Sequence, residues 1–136
     1  TRNMLHQEIV QSKAHIKVSQ MPVIFSSKLR IEQIFQNLIS NALKYRNPDI
    51  NPVVEIEANE TLTHWIFSVK DNGIGIEEEY FQTIFVIFQR LHTREEYAGT
   101  GIGLAIVKKI VEMLGGKVWV ESIEHQGSTF YFSIKK

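Results

Sequence analysis

An ionised carboxylate can only accept hydrogen bonds, so Asp71, at the end of a strand-like run from Thr63 to Lys70, is placed to receive a ligand amine. It opens the segment Asp71-Asn72-Gly73-Ile74-Gly75-Ile76, whose glycines let a backbone pass where a side chain would collide with a ligand. Alone, the segment reads equally as a turn between two apolar runs. Asn37, Asn41 and Lys44 stand at i, i+4 and i+7, which puts them on one side of a helix. Amide oxygens are hard ligands suited to magnesium, and a lysine beside them meets phosphate as a point charge. By themselves these three also describe a solvated helix face. Gly99-Thr100-Gly101-Ile102-Gly103-Leu104 lies at a helix start, where unpaired N–H groups and the helix dipole attract anions. No Gly-Lys-Ser/Thr follows it and no strand leads directly into it, so it is neither the lysine-bearing phosphate loop nor the dinucleotide fingerprint. A hinge before a helix is its plain alternative. Gly127-Ser128-Thr129 precedes a strand and reads in isolation as a hairpin turn.

Together these stretches supply an acidic acceptor for adenine, an amide-bearing helix, a mobile loop and a glycine-rich helix start, the separate needs of an ATP–magnesium pocket. The elements that position them follow from periodicity. Met4, Leu5, Ile9 and Val10 predict a short helix within residues 1–13, and Ala14–Val18 and Val23–Phe25 predict strands on either side of Pro22. From Lys28 to Tyr45, Ile31, Ile34, Phe35, Leu38, Ala42 and Tyr45 share one helix face, and Asn47-Pro48 ends the run. Gln33, Asn37, Asn41 and Lys44 form a polar stripe beside it. Val53–Asn59 and Thr63–Lys70 alternate as an antiparallel hairpin. Glu77-Glu78-Glu79 suits the first turn of a short helix ending near Phe85. Phe88–Thr100 has no period and predicts a mobile loop. Gly101–Leu114 is a third helix closed by Gly115-Gly116, and Lys117–Ser122 with Ser128–Lys135 is a final hairpin. This order predicts an α+β sandwich, one mixed and mostly antiparallel sheet of about five strands covered on one face by about three helices.

The 136 residues suit a single domain spanning 1–136. With 43% hydrophobic and 22% charged residues, the composition is that of a globular chain rather than a disordered one. Fifteen basic and fifteen acidic residues cancel, so no global field draws the chain to nucleic acid or an anionic membrane, and any anion site must be local. The lack of cysteine removes disulfides, thiolate metal sites and cysteine nucleophiles. No apolar run approaches a bilayer span and the N-terminus carries no signal-peptide core, which predicts a cytoplasmic domain. The first helix starts abruptly, as in a domain cut from a longer protein.

The segments Asn37–Tyr45, Asp71–Ile76, Phe85–Leu91, Gly99–Ala105 and Gly127–Phe130 resemble, in order, the N, G1, F, G2 and G3 boxes of the catalytic ATP-binding domain of bacterial sensor histidine kinases, and Phe88–His92 is similar to the phytochrome-like and PAS-linked subgroup. The resemblance implies the Bergerat fold and ATP with Mg2+ as cofactors. It implies that Asp71 accepts the adenine amine with help from Thr129, that Gly73 and Gly75 keep the pocket open beside Ile76, and that Asn41, with Asn37 as a second ligand, holds magnesium. Lys44 and Arg90 would lie at the phosphates, Tyr45 and Phe88 at the nucleotide, residues 86–100 would form the ATP lid, and the backbone of Thr100, Gly101, Ile102, Gly103 and Leu104 would cradle phosphate oxygens.

Phosphoryl transfer is mostly positioning and charge neutralisation, and these residues can supply both. The acceptor is the missing part. The resemblance implies a histidine followed by an acidic residue, whereas His6 is followed by Gln7, and His15, His64, His92 and His125 fall in strand, hairpin or lid contexts. The phosphoacceptor is therefore expected on an upstream dimerisation domain, with a response-regulator receiver domain as the later partner. ATP-hydrolysing relatives of the same fold carry a glutamate base where this helix has Asn37, so a water-activating carboxylate is absent from that place. A nucleotide-binding module that regulates without catalysis is the remaining alternative, and the intact boxes argue against it.

Overall fold

Apolar residues at every second position make strands half-buried in a sheet, and at every third or fourth make helices that cover it. The computed structural model follows both patterns and describes residues 7, 9–11, 13–19, 21–22, 28–81, 83–85 and 103–136. The strands are β1 (His15–Val18), β2 (Val53–Glu60), β3 (His64–Asp71), β4 (Val118–Ile123) and β5 (Gly127–Lys135). The α-helices are α1 (Lys28–Lys44) and α2 (Gly103–Met113). Gln7, Ile9, Val10 and Gln11 are helical too, and Ile9 packs on the core. The expected strand at Val23–Phe25 lies outside the described residues.

The sheet runs β1-β2-β3-β5-β4, with β1 parallel to β2 and every other pairing antiparallel. Directly opposed residues share a face, so the pairs Ile56–Val69, Val69–Phe130, Phe67–Phe132 and Val120–Phe130 define one apolar side. The helices pack on that side. Phe35 of α1 meets Phe67 and Phe132 edge-on at 5.7 and 5.2 Å, while Phe67 and Phe132 stack at 5.0 Å. Ile34, Leu38, Ile39, Ala42 and Leu43 of α1 and Val107, Ile110 and Val111 of α2 complete the core. A Schellman cap closes α2: Gly115 has φ 79°, its N–H donates to the Glu112 carbonyl, and the Gly116 N–H donates to the Val111 carbonyl.

One expected element takes another form. The helix read from Glu77 to Phe85 is two 3-10 turns, Glu78–Tyr80 and Thr83–Phe85. The segment is too short to sustain an α-helix by its own propensity, and Glu77 makes no side-chain cap. What holds it is burial of Ile84 and Phe85, the latter edge-on to Phe130 at 6.2 Å. Among the described residues no helix is long and apolar enough to cross a membrane.

Candidate functional site

β3 is the middle strand, and Asp71 is its last residue on the helix-covered side. It stands opposite Val54 on β2 and Ser128 on β5. Its Oδ1 accepts the Gly73 N–H at 2.9 Å and the Ser128 N–H at 3.2 Å. Among the described residues nothing donates to Oδ2. Burial pushes the Asp71 carboxyl up to about 6, against the two backbone donors that pull it down. A carboxylate steered by two amides, with one oxygen open, is an acceptor aimed at a ligand.

The chain after Asp71 is clamped on three sides. Asn72 accepts the Val53 N–H on Oδ1 at 2.9 Å and donates from Nδ2 to the Asn51 carbonyl at 3.2 Å. The Ile74 N–H donates to the Tyr45 carbonyl at 3.1 Å, which ties the segment to the end of α1. The Ile76 N–H donates to Ser122 Oγ at 2.7 Å, which ties it to β4. These ties add a reason for the glycines that the sequence reading did not contain. A Cβ at position 73 would sit 2.5 Å from the Tyr45 carbonyl oxygen, and one at position 75, where φ is 76°, would sit 2.2 Å from the Ile123 carbonyl oxygen. Neighbouring backbone by itself demands glycine at Gly73 and Gly75. Ile76, expected at the pocket, is buried in the core.

A correction concerns the partner of Asp71. Thr129 pairs with Lys70 and Glu121, on the face away from Asp71. Ser128, one residue earlier, is the group beside Asp71, and it is only 6% exposed. The sequence held a signal for this: Phe130, Phe132 and Ile134 set the parity of the buried face, and Ser128 shares it while Thr129 does not.

On α1 the polar stripe flanks this site. Asn37 donates from Nδ2 to the Gln33 carbonyl at 2.9 Å. Its Oδ1 borders Gly103, where an added Cβ would lie 3.3 Å away. The side chains of Asn41 and Lys44 make no hydrogen bond or ion pair with a described residue, and both are half-buried. The row therefore runs from the start of α2, at Asn37, to the Asp71 segment, at Tyr45. Eight helical residues at 1.5 Å each make that about 12 Å, the scale of a nucleoside triphosphate laid along the helix. Phe88, Arg90, Thr100, Gly101 and Ile102, with the rest of the expected lid at 86–100, lie outside the described residues. Leu104 is half-buried and packs on the core at the start of α2.

An acidic acceptor under a sheet end, flanked by an amide-bearing helix and the N-terminus of another, defines a nucleotide-binding domain of the ATPase type. The family model of histidine kinase-, DNA gyrase B- and HSP90-like ATPases matches residues 26–136, and the chain belongs to that family. The phytochrome-like protein Cph1 of Synechocystis sp. is 51% identical over 130 residues, covering 96% of this chain and 17% of that protein. The nucleotide-free catalytic domain of histidine kinase ThkA superposes with a TM-score of 0.79 at 30% identity, covering 98% of this chain and 86% of that one. Full-length ShkA in complex with AMPPNP superposes with a TM-score of 0.80 at 28% identity, covering 97% of this chain and 27% of that one. The fold is the Bergerat fold, and the chain is an ATP-binding domain that stands with histidine-kinase catalytic domains. It spans about a sixth of the length of the curated phytochrome relatives it matches.

Proposed function

We propose that this domain binds Mg2+–ATP and delivers the γ-phosphate to a histidine on a separate dimerisation domain, from which a receiver domain then takes it, in the cytoplasm. The observation that carries the reading is Asp71: buried, gripped by two amides on one oxygen and open on the other, at the end of the row that leads past Tyr45 and Asn41 to Asn37. Asp71 reads the exocyclic amine of the base. The Asn41 amide oxygen, with Asn37 Oδ1 beside Gly103, suits a magnesium ion that keeps waters and takes its other ligands from phosphates. Magnesium bound there would neutralise the triphosphate. Lys44 supplies a mobile positive charge to the same group, and Arg90 with the backbone of Thr100–Leu104 is assigned to the phosphates from the motifs alone.

Asn37 favours transfer over hydrolysis, since an amide cannot take a proton from water. The test is to mix the purified domain with γ-labelled ATP, magnesium and a histidine-bearing dimerisation domain of a phytochrome-type kinase. Label on histidine is the expected result. Steady release of inorganic phosphate with no acceptor present would instead make this an ATPase.

Asn41→Ala is expected to weaken ATP binding about tenfold in magnesium, the scale of one lost hydrogen-bond-strength contact, and to leave binding in EDTA unchanged. Titration calorimetry under the two conditions reads this directly. Equal losses in both would remove Asn41 from the metal.

A further inference from the structure

Ser122 is a residue to which neither the sequence motifs nor the binding scheme above assigns a role. It lies on β4, directly opposite Ser128, on the covered face of the sheet. Its Oγ has three neighbours: it accepts the Ile76 N–H at 2.7 Å, donates to the Gly127 carbonyl at 2.8 Å, and lies 2.8 Å from Ser128 Oγ. A hydroxyl has one proton and two lone pairs. A carbonyl cannot donate, so the single Ser122 proton goes to Gly127, and the contact with Ser128 is made only if Ser128 donates. Ser122 is then saturated. Ser128 has placed its own proton toward β4, away from Asp71, which is its register partner on the other side.

What Ser128 keeps is a pair of acceptor lone pairs, on the residue directly opposite Asp71 and on the same face of the sheet. Both polar groups at the base-reading end are thus acceptors. An exocyclic amine, or a water donating to both, satisfies such a pair. A keto oxygen at the same place would stand against two acceptors with no proton between them. We infer that Ser122 is a positioning residue for base selection: by holding the Ser128 proton on the far side, it keeps the pocket acceptor-only and thereby selects aminopurine over oxopurine nucleotides. The inference deepens the ATP-binding reading and rests on it.

Removing the Ser122 hydroxyl frees the Ser128 proton. It can then turn either toward Asp71, where it would stabilise the charged carboxylate, or toward a keto group at the base-reading end, which in the parent domain finds no donor there. Ser122→Ala should therefore bind ATP more weakly and GTP more tightly, with the ATP-over-GTP affinity ratio reduced about tenfold, one misdirected hydrogen bond to a charged site. The pH dependence of that ratio should move to lower pH. Both nucleotides carry the same triphosphate, so phosphate ionisation cancels in the ratio. Ser122→Thr keeps the hydroxyl and should keep the ratio.

The experiment is calorimetric titration of the parent domain, Ser122→Ala, Ser122→Thr and Ser128→Ala with ATP and with GTP between pH 5 and 8. Ser128→Ala leaves the Ser122 contacts to Ile76 and Gly127 in place but removes the oriented acceptor, so it too should lose discrimination, and Ser122→Cys, a near-isosteric change to a weak acceptor, should lower the ratio as Ser122→Ala does and takes its place should that variant fail to fold. Variants that lose stability yet keep the parent ratio and its pH midpoint overturn the inference, because a purely structural Ser122 would act that way. A parent domain that binds neither nucleotide would overturn the ATP-binding reading itself, a distinct failure seen before any variant is compared.

Discussion

Asp71→Asn is expected to weaken ATP binding at pH 7.5 by roughly a hundredfold or more. The asparagine oxygen can take over the Gly73 and Ser128 N–H groups that now donate to Oδ1, so the local backbone survives. The amide NH2 then occupies the place of Oδ2 and meets the ligand amine donor to donor. A hydrogen bond to a charged group contributes about 1.5–3 kcal/mol, and an opposed, unsatisfied donor costs about 1–3 kcal/mol more. Together these come to about 2.5–6 kcal/mol, against the roughly 2.7 kcal/mol that corresponds to a hundredfold change in affinity.

The same substitution should stabilise the free domain, and the sign follows from linkage. Burial raises the folded-state pKa of Asp71 to about 6 from 3.8. Its contribution to stability is therefore fully present below about 3.8 and is lost as pH rises through 6. At neutral pH the ionised, buried group costs the fold on the order of 3 kcal/mol, which Asp71→Asn relieves. Urea unfolding of the nucleotide-free protein at pH 4 and 7.5 should show the variant gaining on the parent at the higher pH. ATP affinity runs the other way: the parent loses affinity as pH falls through 6 and the carboxylate protonates, and the variant lacks that component. A variant that binds ATP within threefold of the parent would remove Asp71 from base recognition.

Phe132→Ala should cost about 3–5 kcal/mol, the range for deleting a buried phenyl ring. Phe132 is fully buried on β5, stacked on Phe67 and met edge-on by Phe35. The triad is the seam between α1 and the sheet, so the loss falls where helix and strands are joined. It is a large share of the 5–15 kcal/mol typical of a domain, and the chain should be partly unfolded at 37 °C. Phe132 is four residues along the strand from Ser128, about 13 Å away. The fraction that remains folded should therefore bind ATP with nearly parental affinity. A urea midpoint that moves by less than the equivalent of 1 kcal/mol would mean that the ring triad is not the seam.

Some of this was legible before any coordinates. The long periodic run from Lys28 made α1, and the alternation of Val54, Ile56, Phe67 and Val69 made the β2–β3 hairpin, because burial on one side writes its period into the chain. The acidic residue at the end of β3, the amides on α1 and the glycines after α2 were legible for the same reason: each uses a local property of the backbone or a residue's own donor and acceptor count. Ile39 and Leu43 are buried although they lie off the expected apolar face, since α2 and the sheet flank α1 from two directions and widen its buried arc.

What local pattern cannot state is which group of a distant strand stands beside a given atom. Thr129 and Ser128 are neighbours in sequence, and either could complete a motif. The β3–β5 register places Ser128 against Asp71 and turns Thr129 to the opposite face. A single-residue slip would exchange them. Gly73 and Gly75 are similar cases: their composition announces freedom, but the carbonyls of Tyr45 and Ile123 that forbid a Cβ come from α1 and β4. The amino-acid sequence by itself determined the elements and the chemical types gathered here, through periodicity and residue chemistry. Only the tertiary structure decided the pairing of Asp71 with Ser128, 57 residues away along the chain, and of the Ile76 N–H with Ser122 Oγ, 46 residues away, because a hydrogen-bond partner across the fold is set by packing and not by local pattern.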